Sequence, residues 1–174
     1  MNNIISRKEF LSGGLLVAAG IASAPAIVLA QQQEKPPALP SDVVNEFVKI
    51  AHSDFGKVKQ MLEERPLLLN AAWDWGGGDF ETAIGAAGHM GLKDTANYLL
   101  EKGARADVFV LTMLGKVEIV KQTLRAFPSL LNSAGPHGFT LLHHAEKGGK
   151  DAEELVGFFQ SLGLKDKHRK LFKS

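Results

Sequence analysis

A recurring pair of short helical segments, joined by a tight turn, limits the folds open to this chain more than any other feature. The stretch from Thr82 to Ala104 reads TAIGAAGHMGLKDTANYLLEKGA, and Gly91 divides it into two such segments before Gly103 stops the second. The first segment is about two turns long, and isolated helices shorter than roughly 12 residues are marginal in water. Both segments therefore need neighbouring helices that cover their apolar sides.

A second copy of this pattern lies further along the chain. Thr140 precedes Gly149 by the same nine residues that separate Thr82 from Gly91. The helix after Gly149 is predicted to begin at Asp151, with a glutamate three residues later forming a capping box. Its apolar residues recur at helical spacing, as in the first copy.

Two weaker copies lie at residues 47–70 and 109–132, and both end in the sequence P-x-L-L-N. The turns inside the four helix pairs are placed at Ser53, Gly91, Gly115 and Gly149. These turns are 38, 24 and 34 residues apart, with a mean of 32. The chain is therefore expected to consist of four stacked units, each sheltering the apolar side of the next.

The four copies resemble an ankyrin repeat array, which has a period of about 33 residues and a T-P-L-H-x-A signature. The resemblance covers residues 41–163; it is strongest at 82–107, and Thr140-Leu141-Leu142-His143 matches the signature tetrapeptide best. It implies an all-α solenoid of about four helix pairs with finger-like connections. It also implies that His143 bonds to the backbone of a neighbouring repeat, and that the protein is a protein–protein binding module without catalysis of its own.

The first thirty residues have the pattern of an export signal. Arg7 and Lys8 precede an apolar run that closes with Val28-Leu29-Ala30, a small-x-small cleavage site. The route, twin-arginine-like or general secretory, stays open. An uncleaved membrane anchor is the alternative, but Pro25 interrupts the apolar run, so this segment would span a membrane poorly. After cleavage of the signal, no stable membrane insertion is expected. We predict a signal at 1–30, a proline- and glutamine-rich spacer at 31–40, the repeat domain at 41–163 and a fraying charged tail at 164–174, in a periplasmic or secreted protein.

The uneven repeat intervals predict unequal fingers. The long first interval places its surplus in residues 72–80, whereas the short second interval leaves no room for a finger. The sequence therefore predicts one lengthened finger beside a missing one. The gap should form a notch with Phe109, Val110 and Met113 as its floor.

Two tryptophans beside three glycines make the long finger the strongest candidate for a binding surface. Tryptophan is enriched at binding hot spots because it buries a large rigid surface. The alternative is that one or both tryptophans pack onto the helices, as tryptophan is highly buried on average. The candidate partner-binding residues on the fingers, the notch and the concave helix face are Trp73, Asp74, Trp75, Asp79, Phe80, His89, Met90, Phe109, Met113, His137 and His144.

Composition argues against several kinds of chemistry. The chain has no cysteine and a net charge of +1, so thiolate sites and a basic nucleic-acid surface are not expected. His143 and His144 are adjacent and point about 100° apart on a helix, which does not favour a metal site. We therefore expect no metal, no cofactor and no enzymatic activity, with another protein of unknown identity as partner. The alternative function is a small-molecule or metal-binding periplasmic protein that uses the notch near Phe109 and the histidines.

Overall fold

The structure is a computed structural model that describes residues 35–172. The predicted export signal and the first part of the spacer lie outside these residues, and residues 35–40 have no regular secondary structure. The described chain is mostly helical, which confirms the all-α prediction at that level. Its helices are α1 (Ser41–Ile50), α2 (Phe55–Glu64), α3 (Ala83–Met90), α4 (Lys93–Glu101), α5 (Val108–Met113), α6 (Val117–Ala126), α7 (Leu141–Gly148) and α8 (Glu153–Ser161).

The first helices of successive pairs pack against one another, α1 on α3, α3 on α5 and α5 on α7. Small residues allow this close approach: a Cβ at Gly88 of α3 would lie 3.1 Å from a methyl group of Val110 in α5. Phe47, Leu99 and Met113 are fully buried in one apolar cluster, and Leu141, Leu155 and Phe159 are among those buried in a second. Burial of the apolar sides of these short helices against their neighbours is what stabilises them.

In three of the helix pairs, the first helix begins with the same type of side-chain N-cap. The side chains of Thr82, Asp107 and Thr140 each occupy the N-cap and accept a hydrogen bond from a backbone N–H three residues later. Such caps satisfy donors that a helix start leaves free. The shared cap position explains why a threonine or an aspartate recurs at the start of these three units, whereas α1 follows Pro40 and has no side-chain cap.

The turns inside two helix pairs require glycine. Gly91 and Gly115 both have left-handed backbone angles, with φ of 79° and 66°. Neither has room for a side chain, since a Cβ would lie 2.8 Å from the Lys147 carbonyl oxygen at Gly91 and 2.1 Å from that of Asp151 at Gly115. The turn of one pair therefore packs directly on the backbone of a later pair.

The connections between the pairs are unequal. Strands β1 (Ala72–Asp74) and β2 (Phe80–Thr82) form an antiparallel hairpin in the predicted long finger. No strand lies between α4 and α5, and the third connection contains a short 3₁₀ segment, Pro136–Gly138. The two P-x-L-L-N sequences form matching 3₁₀ turns, Pro66–Asn70 and Pro128–Asn132.

Two details of the C-terminal region differ from the sequence predictions. Helix α8 begins at Glu153 without a side-chain cap, because residues 149–152 form a 3₁₀ turn and Asp151 pairs instead with Lys93. The predicted capping box is therefore wrong. The prediction that the tail frays is also wrong for residues 166–169, which hydrogen-bond to Gly138 and Thr140 of the third finger. Within residues 35–172, no helix combines the length and the apolar character needed to cross a membrane.

Candidate metal centre

Four potential metal ligands converge at the base of the first finger. His52, Glu81, His89 and His137 each offer one ligand atom, and these atoms all lie within 4.8 Å of one another. Nε2 of His52 and Nε2 of His137 lie 3.4 and 3.3 Å from Oε2 of Glu81, and Nδ1 of His89 lies 3.0 Å from Oε1. Three imidazoles and one carboxylate form a donor set that suits zinc and similar divalent ions.

Two of these separations match tetrahedral coordination. Zinc binds imidazole nitrogen and carboxylate oxygen at about 2.0–2.2 Å, so two ligand atoms of a tetrahedral site lie roughly 3.3–3.6 Å apart. The 3.3 and 3.4 Å separations from Glu81 to His137 and His52 fall in this range. All four ligand atoms lie within 4.8 Å of one another, so the side chains would move closer together around a bound ion.

Two buried polar atoms of the cluster have no hydrogen-bond partner. Oε1 of Glu81 and Nδ1 of His89 are inaccessible to solvent, and although they lie 3.0 Å apart, neither makes a hydrogen bond. A buried polar group without a partner is costly, and most such groups in folded proteins are satisfied. The two atoms approach each other as an ion pair would, but their hydrogen-bonding capacity is unused.

The outer nitrogens of two ligand rings are already held by neighbouring groups. Nδ1 of His137 lies 2.9 Å from Oδ2 of Asp79, and Nδ1 of His52 lies 3.1 Å from the carbonyl oxygen of Val48 and from that of Lys49. A proton on each Nδ1 would be donated to these acceptors, which leaves the Nε2 lone pairs facing the cluster. Carboxylates and carbonyls commonly orient metal-binding histidines in this way.

Each ligand comes from a different part of the chain. His52 lies in the turn after α1, Glu81 in β2, His89 in the last turn of α3, and His137 in the third finger. His137 has a φ of 57° and is the one non-glycine residue among residues 35–172 with a left-handed backbone. Asp79 holds it there by accepting hydrogen bonds from both its backbone N–H and its ring. Strained backbone of this kind concentrates at functional sites.

The cluster carries a buried negative charge. Burial of Glu81 opposes its ionisation, but the His52 and His89 imidazoles outweigh that effect and lower the pKa of Glu81 to about 2. The Glu81 carboxylate in turn raises the pKa of His52, against the opposing effect of burial. Glu81 is therefore an anion at neutral pH, which is the form that binds metals.

Trp75 covers one side of the cluster. Its indole N–H donates a 2.8 Å hydrogen bond to Oε2 of Glu81, and its ring lies 6.1 Å from His52 and 5.7 Å from His137. Trp73 instead packs against the apolar cluster around α1 and α3. Trp73 therefore packs onto the helices, which is the alternative to a binding role, whereas Trp75 belongs to the polar site.

Eight of the eleven predicted partner-binding residues fall into three groups. Asp74, Phe80 and Met90 are exposed, and Phe80 keeps 63% of its surface accessible. Asp79, His89 and His137 join the metal cluster or support it. Met113 and His144 are buried, with 0% and 1% exposure, so contact with a partner at these two positions is not supported. The Nδ1–H of His144 bonds to the Thr140 carbonyl within α7, and burial lowers the pKa of His144 to about 4.

His143 bonds to the backbone of another unit, but not of the adjacent one. Its Nε2 lies 2.9 Å from the backbone carbonyl oxygen of His89 in α3, two units earlier, whereas the resemblance implies a bond to the neighbouring unit. Its ring stacks on Phe139, with ring centroids 4.1 Å apart. His143 is therefore not a ligand, but it fixes the backbone of one.

The predicted notch corresponds to a groove of about 470 Å³ between the first and third fingers. Phe109 lines this groove as predicted, but Val110 and Met113 do not, because they are buried among the helices. Asp79 lines the groove on one side and supports His137 on the other. The groove and the cluster are therefore neighbours that share one carboxylate.

The sequence alone predicts no metal ligand, and neither His52 nor Glu81 lies in a motif that points to one. Comparisons with family models, with curated proteins and with solved structures give no match for this chain. The cluster is therefore interpreted from its own geometry.

Proposed function

We propose that the protein is an exported helical repeat protein of the ankyrin type that binds one divalent transition-metal ion, zinc or an ion of similar chemistry. The ligands would be His52, Glu81, His89 and His137. The recurrent helix pairs and the stacking of their first helices support the ankyrin part of the proposal. The export signal remains a proposal from the sequence.

The observation that carries the metal proposal is the pair of unpartnered buried atoms, Oε1 of Glu81 and Nδ1 of His89, within a converging set of four ligands. A purely structural polar network would be expected to pair these atoms with each other or with a neighbouring donor. Here the nearest groups are themselves potential ligands. A cation between them would satisfy both atoms at once.

The charge of the site also supports a divalent ion. Three neutral imidazoles and the Glu81 carboxylate would leave a net charge of +1 around a divalent cation. The Asp79 carboxylate behind His137 brings the local sum to zero. Buried charges are tolerated when they are balanced in this way.

A site with four protein ligands is typical of a structural metal site and not of a catalytic one. Catalytic zinc sites usually have three protein ligands and one open position, whereas structural sites are closed. The ligands here come from the first helix pair, the first finger, α3 and the third finger, so a bound ion would connect all four segments. This supports the expectation that the protein has no catalysis of its own.

Cobalt(II) titration of the folded protein tests this proposal. Tetrahedral cobalt gives strong visible absorption bands, and we expect these bands to saturate at one ion per chain and to disappear when zinc is added. His137→Asn should abolish them, since asparagine tolerates the left-handed backbone but lacks the imidazole. His168→Asn is the matched control, because His168 lies beside Phe139 and outside the cluster. Weak octahedral bands alone, or equal bands in both variants, would contradict the proposal.

Protein binding is the second candidate function. Phe80 is 63% exposed at the start of β2, and an exposed aromatic side chain on a finger suits contact with another protein. We expect capture of a defined partner from an envelope extract to fail for Phe80→Ser and to persist for Ile119→Ser, which removes a similarly exposed side chain from α6. Equal capture by both variants would argue against the finger as the contact surface.

A further inference from the structure

We propose that the groove between the first and third fingers binds a small organic cation, an ammonium or guanidinium group carried on a short apolar stem. This proposal rests on the groove and not on the metal site, although Asp79 belongs to both. The groove has a volume of about 470 Å³, within the usual size range of small-molecule sites. It is the notch left where the second finger is missing.

The charge of the groove selects for a cation. Its lining includes the carboxylates of Asp79 and Asp107, and none of its described lining residues is a lysine, arginine or histidine. Asp79 is engaged with His137, and Asp107 uses Oδ1 to cap α5. Asp107 is an exposed residue, so the rest of its carboxylate can accept a hydrogen bond from a charged donor.

Aromatic rings form the apolar walls. Phe109 lies against Gly135, where a Cβ would come within 3.2 Å of the ring, and Phe172 lies against Gly77, where a Cβ would come within 2.6 Å. Each ring thus occupies space that only a glycine leaves free. Together with Phe80, these rings give the groove apolar walls that suit an aliphatic stem, so the walls and the carboxylates favour the same ligand.

Calorimetric titration with n-butylguanidinium tests the proposal, and n-butylurea serves as the neutral probe of the same shape. We expect the cation to bind at one site and the urea to bind at least about tenfold more weakly, since hydrogen bonds to charged groups are the stronger ones. Affinity should fall as salt is added. Equal binding of the two probes, or binding of neither, would overturn the proposal.

Asp107→Asn removes the charge but keeps an N-cap residue, so α5 should remain folded. We expect this variant to bind n-butylguanidinium about tenfold more weakly while its binding of n-butylurea stays unchanged. Asp54→Asn is the matched control, because Asp54 caps α2 in the same way and lies outside the groove. Cation affinity that is unchanged in Asp107→Asn, or equally reduced in Asp54→Asn, would overturn the assignment of the groove.

Discussion

Oε1 of Glu81 and Nδ1 of His89 lie 3.0 Å apart in the interior, and neither atom makes a hydrogen bond. Their separation is short enough for a hydrogen bond, but their relative orientation does not produce one. Two further imidazole nitrogens approach the other carboxylate oxygen at 3.3 and 3.4 Å. This arrangement has the spacing of ligands around an ion, and it leads to the following predictions.

Zinc should stabilise the folded chain against heat. An ion that binds the native state alone, at a free concentration one hundred times Kd, adds about 2.7 kcal/mol. For a domain of this size that corresponds to a rise in Tm of roughly 10 °C. Differential scanning calorimetry of the metal-free protein with and without zinc measures the shift. His168→Asn should show the same rise and His137→Asn none.

The zinc effect should grow with pH. The raised pKa of His52 means that its protonated form, paired with Glu81, stabilises the metal-free fold below pH 6.5, and this contribution is lost as pH rises through the folded-state pKa. Zinc requires neutral imidazole, so its binding follows the opposite course. Zinc-induced Tm shifts measured from pH 6 to pH 8 should therefore increase. A constant shift across this range would show that no histidine proton is displaced.

Asp79→Asn should weaken zinc binding without removing a ligand. The carboxylate holds His137 through its ring and its backbone N–H, and loss of such a supporting group commonly costs about 10–100-fold in metal affinity. Competition with a chromophoric chelator measures the change. Asp74→Asn is the control, since Asp74 accepts hydrogen bonds from the backbone of Gly76 and Gly78 and an asparagine can do the same. Equal affinities in the two variants would argue against support by Asp79.

Gly115→Ala should destabilise the fold far more than Gly103→Ala. Both glycines have left-handed backbone, with φ of 66° and 93°, which costs alanine about 1–2 kcal/mol. At Gly115 the new Cβ would also lie 2.1 Å from the Asp151 carbonyl oxygen, whereas nothing lies within 4 Å of it at Gly103. Urea unfolding should show a loss of at least about 3 kcal/mol at Gly115. Equal losses would mean that this turn does not pack on the last helix pair as described.

Acid should destabilise the chain between about pH 6.5 and pH 4. Burial lowers the pKa of His144 to about 4, so the unfolded chain binds a proton in this range that the folded chain does not. The lost stability is on the order of 3 kcal/mol at the lower end. His143, whose pKa burial also lowers, acts in the same direction. In His144→Gln, the midpoint of urea unfolding should depend less steeply on pH in this window, and part of the dependence should remain. An unchanged profile would contradict the contribution assigned to His144.

The repeat pattern could be predicted from the sequence because its signals are local. The turn glycine Gly91 and the N-cap residue Thr140 both follow from spacing within one unit. The cluster could not be predicted in this way. His52, Glu81, His89 and His137 are separated by 29, 8 and 48 residues, and no local motif connects them.

Tertiary packing brings these ligands together. The stacking of α1 on α3 brings His52 close to His89, with ring centroids 4.9 Å apart, and the third finger then reaches back to the first through Asp79. The sequence shows several histidines near the boundaries of the units. Which of them converge depends on the three-dimensional packing of the units. The adjacent pair His143 and His144 is the most conspicuous histidine pattern in the sequence, but neither residue belongs to the cluster.

Anomalous diffraction at the zinc edge, from crystals of the zinc-loaded protein, tests the central claim most directly. We predict a single strong peak about 2.0–2.2 Å from Nε2 of His52, Nδ1 of His89, Nε2 of His137 and a carboxylate oxygen of Glu81. A peak elsewhere on the surface, or none between these four side chains at full zinc occupancy in solution, would contradict it.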